Sequence, residues 1–380
     1  MSNSNSRFVE VKRIFFLGDA LGAYRTQYLL HYLLDRRFQV FYGSTNYLTV
    51  RRNYLNLFIR GTWGVLARLL YLLYADAVIV PALSRPKSSW LRLAHCLGKP
   101  ILVDFYVSLY DTIVLDRQEH STSSSAARRY RAQDALSLRL ARPAIFLNRA
   151  EAKYYQRVVG TAVAPTNLRI LPLCVAPRGS ARLPFANGQQ HTLTVAWWGT
   201  FIPLHGIVKI IEAARLLRDR AVPIVIYLFG NNEAKAQPYR TQIAAAGLES
   251  SVYIRNDATF TNGVLEAWLI DHADVALGSF GDSEKAGTVF LNKLADAFSL
   301  GLPAVSQLSQ GLSELTETSQ EVLAIANTAV ALADALESLY DRPAHLLQMA
   351  RAAHERYRST FSPAAYARGL DNIFRTIPAE

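Results

Sequence analysis

The residues best able to do chemistry sit in glycine- or aspartate-bearing loops, each expected to follow a strand. In SFGDSEKAGTVFLNKLADAFSLGLP, 279–303, Gly287 is expected to open a helix on which Thr288, Asn292 and Asp296 recur at i, i+4 and i+8 as one polar line. Val289, Phe290, Leu291, Leu294, Ala295 and Phe298 flank that line and would bury the rest of the helix. A polar line in a buried helix costs free energy unless something satisfies it, so a ligand is expected there. Thr288 and the helix N-terminus suit phosphate, Asp296 can accept from ribose hydroxyls, Lys293 can balance a diphosphate, and Glu284 would face a sugar.

In WGTFIPLHG, 198–206, a strand ends at Gly199 and a helix opens near Gly206, with Thr200 and His205 as side-chain donors. Free backbone N–H groups and the helix dipole favour an anion at such a turn. FGNN, 229–232, closes the next strand: Gly230 permits close backbone approach, and Asn231 with Asn232 bonds a sugar or base edge or forms an Asx turn. In the first half, GDALGAYRTQYLL, 18–30, is a glycine turn into a helix with Asp19, Tyr24 and Arg25 as polar tips, although it lacks the full GxGxxG pattern. VDFYVSLYDT, 103–112, supplies Asp104, Tyr106, Ser108, Tyr110 and Asp111. Such a cluster orients an acceptor hydroxyl or stabilises charge beside a departing group, with Asp104 and Asp111 as the catalytic pair; either aspartate has the alternative of capping a helix or turn.

Other chemistries find no residues. There is no GxSxG elbow and no HxxxH pair, and Cys96 and Cys174 stand far apart, so neither a metal site nor a disulfide scaffold is expected.

The elements that must position these loops are short β-branched or aromatic runs alternating with helical patterns, as parallel sheets with crossover helices require. Strands are expected at 14–18, 39–43, 77–80, 101–105, 144–147 and 169–173, and after a Pro/Gly/Arg-rich break at 193–199, 223–230, 252–255, 273–280, 302–307 and 322–325. The expected organisation is an α/β chain of two doubly wound, Rossmann-like domains. A first domain spans 7–175, a linker 176–190, a second domain 191–355, and a last helical segment 356–380. Helical pattern over 345–374 breaks at Ser362-Pro363.

Between 54 and 74, Leu55, Phe58, Leu66, Leu69, Leu70 and Leu73 recur at helical spacing, while Arg60, Gly61, Arg68 and Asp76 interrupt the apolar run too often for a membrane span. The helix fits either over the core or in a membrane interface. The 380 residues carry a net charge of +11, which favours an anionic partner such as a lipid surface, a polyprenyl phosphate or a nucleotide. No arginine-rich helix or aromatic-interleaved basic motif argues for nucleic acid. MSNSNSRFVEVKR lacks the apolar core of a signal peptide, so the expected location is cytoplasmic, with peripheral binding to the inner membrane face.

The run from Leu193 to Pro303 resembles the nucleotide-binding half of family 4 (group 1) glycosyltransferases, on its GTFIPLHG loop and its later EK…NK…DA…G.P segment. The resemblance extends more weakly to the YDT segment near 110 and the Phe361-Ser362-Pro363 tail. It implies a GT-B fold, two Rossmann-like domains facing a central cleft, the first (7–175) binding the acceptor and the second (191–355) the nucleotide sugar, with the C-terminal helix packing back on the first. It also implies a UDP-, GDP- or dTDP-sugar co-substrate, no required cofactor or metal, and transfer with retention to a glycan or polyprenyl-phosphate-linked acceptor in bacterial surface-polysaccharide or glycoconjugate synthesis. Against the family pattern, Thr200 and His205 stand near the usual phosphate-holding Arg and Lys. The paired glutamates fall at Thr288 and Asp296, with Glu284 the substitute for the first. A catalytically degenerate protein that binds the nucleotide sugar is the alternative.

Overall fold

The computed structural model describes residues 12–18, 23–42, 62–84, 86–181 and 192–376. The chain forms two compact units, Met1–Pro172 with Tyr366–Glu380, and Leu173–Ala365.

The first unit is built on β1 (Arg13–Phe16), β2 (Gln39–Tyr42), β3 (Ala77–Val80), β4 (Ile101–Asp104), β5 (Ala144–Phe146) and β6 (Leu168–Ile170), all parallel in the order β2-β1-β3-β4-β5-β6. Runs such as AVIV and ILVD are buried at every position, as strands covered on both faces must be. Helices Thr62–Tyr74, Ser88–Cys96, Ser125–Leu140 and Arg149–Val159 share one apolar cluster with that sheet, through Tyr71, Leu72, Leu91, Ala94, Leu138, Tyr154 and Tyr155. The C-terminal helix from Tyr366 packs against helix Tyr24–Asp35: the Tyr32 hydroxyl donates to Asp371 at 2.8 Å, Arg36 pairs with Asp371 at 2.7 Å, and Phe374 stacks on Tyr32.

The second unit holds β7 (Leu193–Trp198), β8 (Ile224–Phe229), β9 (Val252–Arg255), β10 (Val275–Leu277), β11 (Ala304–Gln307) and β12 (Val322–Ile325), parallel in the order β12-β11-β10-β7-β8-β9. Successive strands are added outward from β7 in one direction and from β10 in the other, and the crevice beyond the carboxyl ends of these two neighbours is where such sheets take ligands.

Two expectations on helices are corrected. Residues 283–288 form a turn, and the helix runs Asn292–Leu300 instead of opening at Gly287. The carbonyls of Gly287 and Thr288 accept from the N–H groups of Gln310 and Gly311, at 3.0 and 2.9 Å, so they cannot serve an i+4 helical bond. On helix Thr62–Tyr74, the described part of the 54–74 segment, Tyr71 and Leu72 face the core while Val65, Leu66, Leu70, Leu73 and Tyr74 are exposed. In a stretch this uniformly apolar the period does not identify the inner face.

Candidate active site

In the second unit the loop after β7 and the loop after β10 lock together through backbone. The Phe280 N–H donates to His205 O at 3.1 Å, the Ser279 hydroxyl donates to Leu204 O, and Lys209 Nζ reaches Phe280 O at 2.9 Å and pairs with Asp282. Gly206 sits at φ +61 with a Cβ position falling on the Phe280 carbonyl, so both conformation and space demand glycine there. It N-caps helix Ile207–Asp219.

Against this lock lies a buried cationic centre. Lys293 is 6% exposed, with Nζ 3.4 Å from His205 Nδ1 and 4.0 Å from the Trp197 ring centre. A Cβ on Gly199 would stand 3.3 Å from the same Nζ. His205 is itself buried and packs edge-on to Trp197. Burial, then the charges of Lys293 and Lys285, hold the His205 imidazole well below its usual range, so it is neutral at pH 7. Burial likewise drives the Lys293 ammonium well down. No carboxylate pairs with Lys293 among the described residues, leaving a buried cation one residue into the N-terminal turn of helix Asn292–Leu300. That combination suits an anion: the missing counter-charge and the helix dipole act in the same direction.

The remaining expected donor residues are dispersed. Thr288 hydrogen-bonds Glu284 O at 2.8 Å from its place in the turn, so the expected line Thr288–Asn292–Asp296 is broken and only the last two share a helix. Glu284 is exposed in the same turn. Asp296 accepts from Arg178 Nη2 at 2.8 Å and Nε at 3.2 Å, and Arg178 also pairs with Glu266 at 2.8 Å and lies 3.7 Å over the Phe260 ring. Burial raises the Asp296 carboxyl against the lowering effect of Arg178. Thr200 is half-buried beside Gly199. At Gly230 the close approach comes from the protein's own Phe201 ring and Asn256, so that glycine serves packing. Asn231 is exposed, while Asn232 caps helix Glu233–Ala245 by accepting from Lys235 N–H at 3.0 Å.

In the first unit the expected polar tips are largely interior. Arg25, expected at a loop tip, is 1% exposed and binds Asp104 through Nε at 2.8 and 3.0 Å. Its other nitrogens donate to Pro172 O and Leu171 O at 3.0 and 3.1 Å. A charge this deep is tolerable only when paired, and Asp104 is its pair. Asp111 is buried with Oδ1 accepting from the Tyr154 hydroxyl at 2.6 Å. Asp104 closes β4, and Asp111 stands at the first position of the helical turn Asp111–Asp116. Tyr24 is exposed, its hydroxyl 3.4 Å from that of Tyr106, and the Tyr110 N–H donates to Asp134 at 3.0 Å. Asp19 lies outside the described residues.

Several participants escaped the sequence reading. Asp134 on helix Ser125–Leu140 accepts from Ser108 Oγ at 2.7 Å, and Ser108 Oγ in turn accepts the Asp111 N–H, so a residue in a surface-like RAQDAL run anchors the 106–111 loop. Lys285 and Trp197 complete the cationic centre, and Arg178 covers Asp296. Lys285 had one legible signal, a lysine beside Glu284 in a strand-end loop. Among the described residues no three His, Cys, Asp or Glu side chains gather as metal ligands, and no helix is long and apolar enough to cross a membrane.

Residues 192–342 match the family model described as Glycosyl transferases group 1. The D-inositol 3-phosphate glycosyltransferase of Arthrobacter sp. (strain FB24) is 31% identical over 197 residues, 50% of this chain and 44% of the relative, so the match spans less than half the relative's length. Among solved structures, Anabaena HepE in complex with UDP and glucose aligns over 96% of this chain and 99% of its own at TM-score 0.64 and 14% identity. Sucrose-phosphate synthase from Thermosynechococcus elongatus aligns over 96% and 98% at TM-score 0.66 and 14% identity. The fold is GT-B, built of two Rossmann-like domains.

Proposed function

We propose that this chain, whose second domain is a glycosyl transferases group 1 domain, transfers a glycosyl group from a nucleotide sugar to a hydroxyl of a glycan or polyprenyl-phosphate-linked acceptor. The observation that carries the reading is Lys293, a buried cation without a counter-ion at a helix N-terminus and at the switch point of the second sheet. In this reading the donor diphosphate supplies the counter-ion. As the glycosyl bond breaks, negative charge builds on that diphosphate, and Lys293, neutral His205 as a donor and the helix dipole stabilise it, a role that asks for no metal. Retention, a hexosyl donor and a place in bacterial surface-polysaccharide or glycoconjugate synthesis complete the proposal. So does peripheral binding of a cytoplasmic protein to a membrane face, for which the exposed apolar side of helix Thr62–Tyr74 is the supporting feature.

A thermal-shift and titration series with UDP, GDP, dTDP and their sugars tests it, since a ligand of the folded state raises the melting temperature. One nucleoside diphosphate should raise it and Lys293→Met should abolish the rise; no shift with any of them sinks the proposal. A second reading, nucleotide-sugar binding without turnover, is favoured by the engagement of Asp104, Asp111 and Asp296 with Arg25, Tyr154 and Arg178. Binding of a sugar nucleotide without release of nucleoside diphosphate across acceptors would select it.

A further inference from the structure

The first unit carries a basic cavity that the function above does not use. Helices Ser88–Cys96 and Ser125–Leu140 lie side by side on one sheet face, their inner residues Leu91, Ala94 and Leu138 in the shared core. Their outer sides enclose an open cavity of about 670 Å³ lined by Lys87, Arg92, Arg129 and Arg139, with Tyr130 and Gln133. Gln133 Nε2 donates to Pro86 O at 3.0 Å and ties the longer helix to the segment entering the shorter one.

No carboxylate lines this cavity. The longer helix has a single acidic residue, Asp134, and that side chain is turned inward to Ser108 and the Tyr110 N–H. Several surface arginines elsewhere do have acidic partners: Arg13 with Asp76, Arg220 with Asp334 and Glu337, Arg240 with Glu233, Arg356 with Glu317 and Glu321. The four cavity cations form no ion pair among the described residues, and each is exposed. Like charges converging on one concavity repel one another and focus a positive potential, and a multivalent anion relieves both. Arginine presents a planar fork suited to phosphate oxygens.

We propose that this cavity binds a phosphate-bearing group of at least two charges, the chemistry shared by a soluble diphosphate and a phospholipid headgroup cluster. The cavity belongs to the first unit and the Lys293 centre to the second.

The test uses the full chain carrying Lys293→Met, which on the function proposed above removes diphosphate binding at the other site, with unaltered folding confirmed by melting. Calorimetric titration with inorganic pyrophosphate and flotation with phosphatidylglycerol or phosphatidylcholine vesicles are run on three proteins. These are that background alone, the background with Arg92→Glu and Arg129→Glu, and the background with Arg342→Glu and Arg351→Glu. The last pair changes net charge equally at exposed residues of the second unit. Pyrophosphate binding weakened by about tenfold or more only in the cavity pair identifies a soluble phosphate ligand. Flotation with phosphatidylglycerol alone, lost only in the cavity pair, identifies lipid headgroups. Absence of both, or equal loss in the two charge-reversed proteins, overturns the proposal and leaves net charge as the whole effect.

Discussion

Lys293 Nζ lies 3.4 Å from His205 Nδ1, two nitrogen bases sharing one buried pocket with no acid between them. Burial disfavours charge on both, holding the imidazole well below its ordinary range and making the Lys293 ammonium easier to deprotonate. Replacing Lys293 by isosteric, apolar Met removes an uncompensated charge. The ligand-free variant should therefore be at least as stable as the parent, gaining about 1–3 kcal/mol, while losing its melting response to nucleoside diphosphates. Denaturant titration with and without nucleotide checks both halves; a destabilised variant that still binds would contradict the counter-ion argument.

The same pair sets a pH dependence. The folded-state value of Lys293 lies below its ordinary one, so the unfolded chain binds more protons over that interval and stability rises as pH increases through it. Binding a diphosphate restores the charge and should take up protons on the alkaline side. Calorimetric titration in buffers of different ionisation enthalpy would read this uptake directly, and it should vanish in Lys293→Met.

Arg25 and Asp104 are a structural pair in this arrangement, each nearly sealed from water. Arg25→Met strands a buried carboxylate and should cost about 3–5 kcal/mol, whereas adding Asp104→Leu should recover most of that loss. If instead the double variant is as unstable as the sum of the singles, the pair holds no shared energy and Asp104 is free for another role.

Gly206 and Gly247 offer a matched comparison, with φ of +61 and +62. An alanine Cβ at Gly206 meets the Phe280 carbonyl, while at Gly247 its nearest neighbour is a flexible Arg218 nitrogen 3.7 Å away. Gly247→Ala should cost about 1 kcal/mol from backbone strain alone, and Gly206→Ala about 1–3 kcal/mol more from overpacking. Equal costs in urea unfolding would show that the two loops are not locked.

What the sequence disclosed follows from how local each cause is. Runs such as AVIV and ILVD are strands because apolar residues fill a covered sheet whatever lies elsewhere, and all twelve expected strand positions are occupied. The helix start was not legible, because Gln310 and Gly311, some twenty residues on, take the carbonyls that a helix from Gly287 would use. The partners of Arg25 are equally remote: Asp104 is 79 residues away and Leu171 lies 146 away. A strand-end loop and a positive charge could mark His205 and Lys293 as candidates, yet only packing against Trp197 reveals that they share a pocket.

Asp134 carries the last prediction. It is 4% exposed, and burial pushes its carboxyl up to about 6, with the nearby Asp111 charge adding to the rise and hydrogen bonds from Tyr110 N–H and Ser108 opposing it. Because the folded value exceeds the unfolded one, the native state holds more protons between the ordinary 3.8 and about 6, and stability falls as pH rises across that window. The full difference amounts to about 3 kcal/mol. Asp134→Asn keeps an acceptor for Ser108 and the Tyr110 N–H but cannot ionise. Plotted against pH, the stability of the parent should therefore drop relative to the asparagine variant between pH 4 and about pH 6, and run parallel to it above. The loop bearing Tyr106 and Tyr110 should loosen in the same interval, read as faster amide exchange at Tyr110. Parallel curves throughout would show that Asp134 is ionised at no cost and that its hold on the loop is independent of pH.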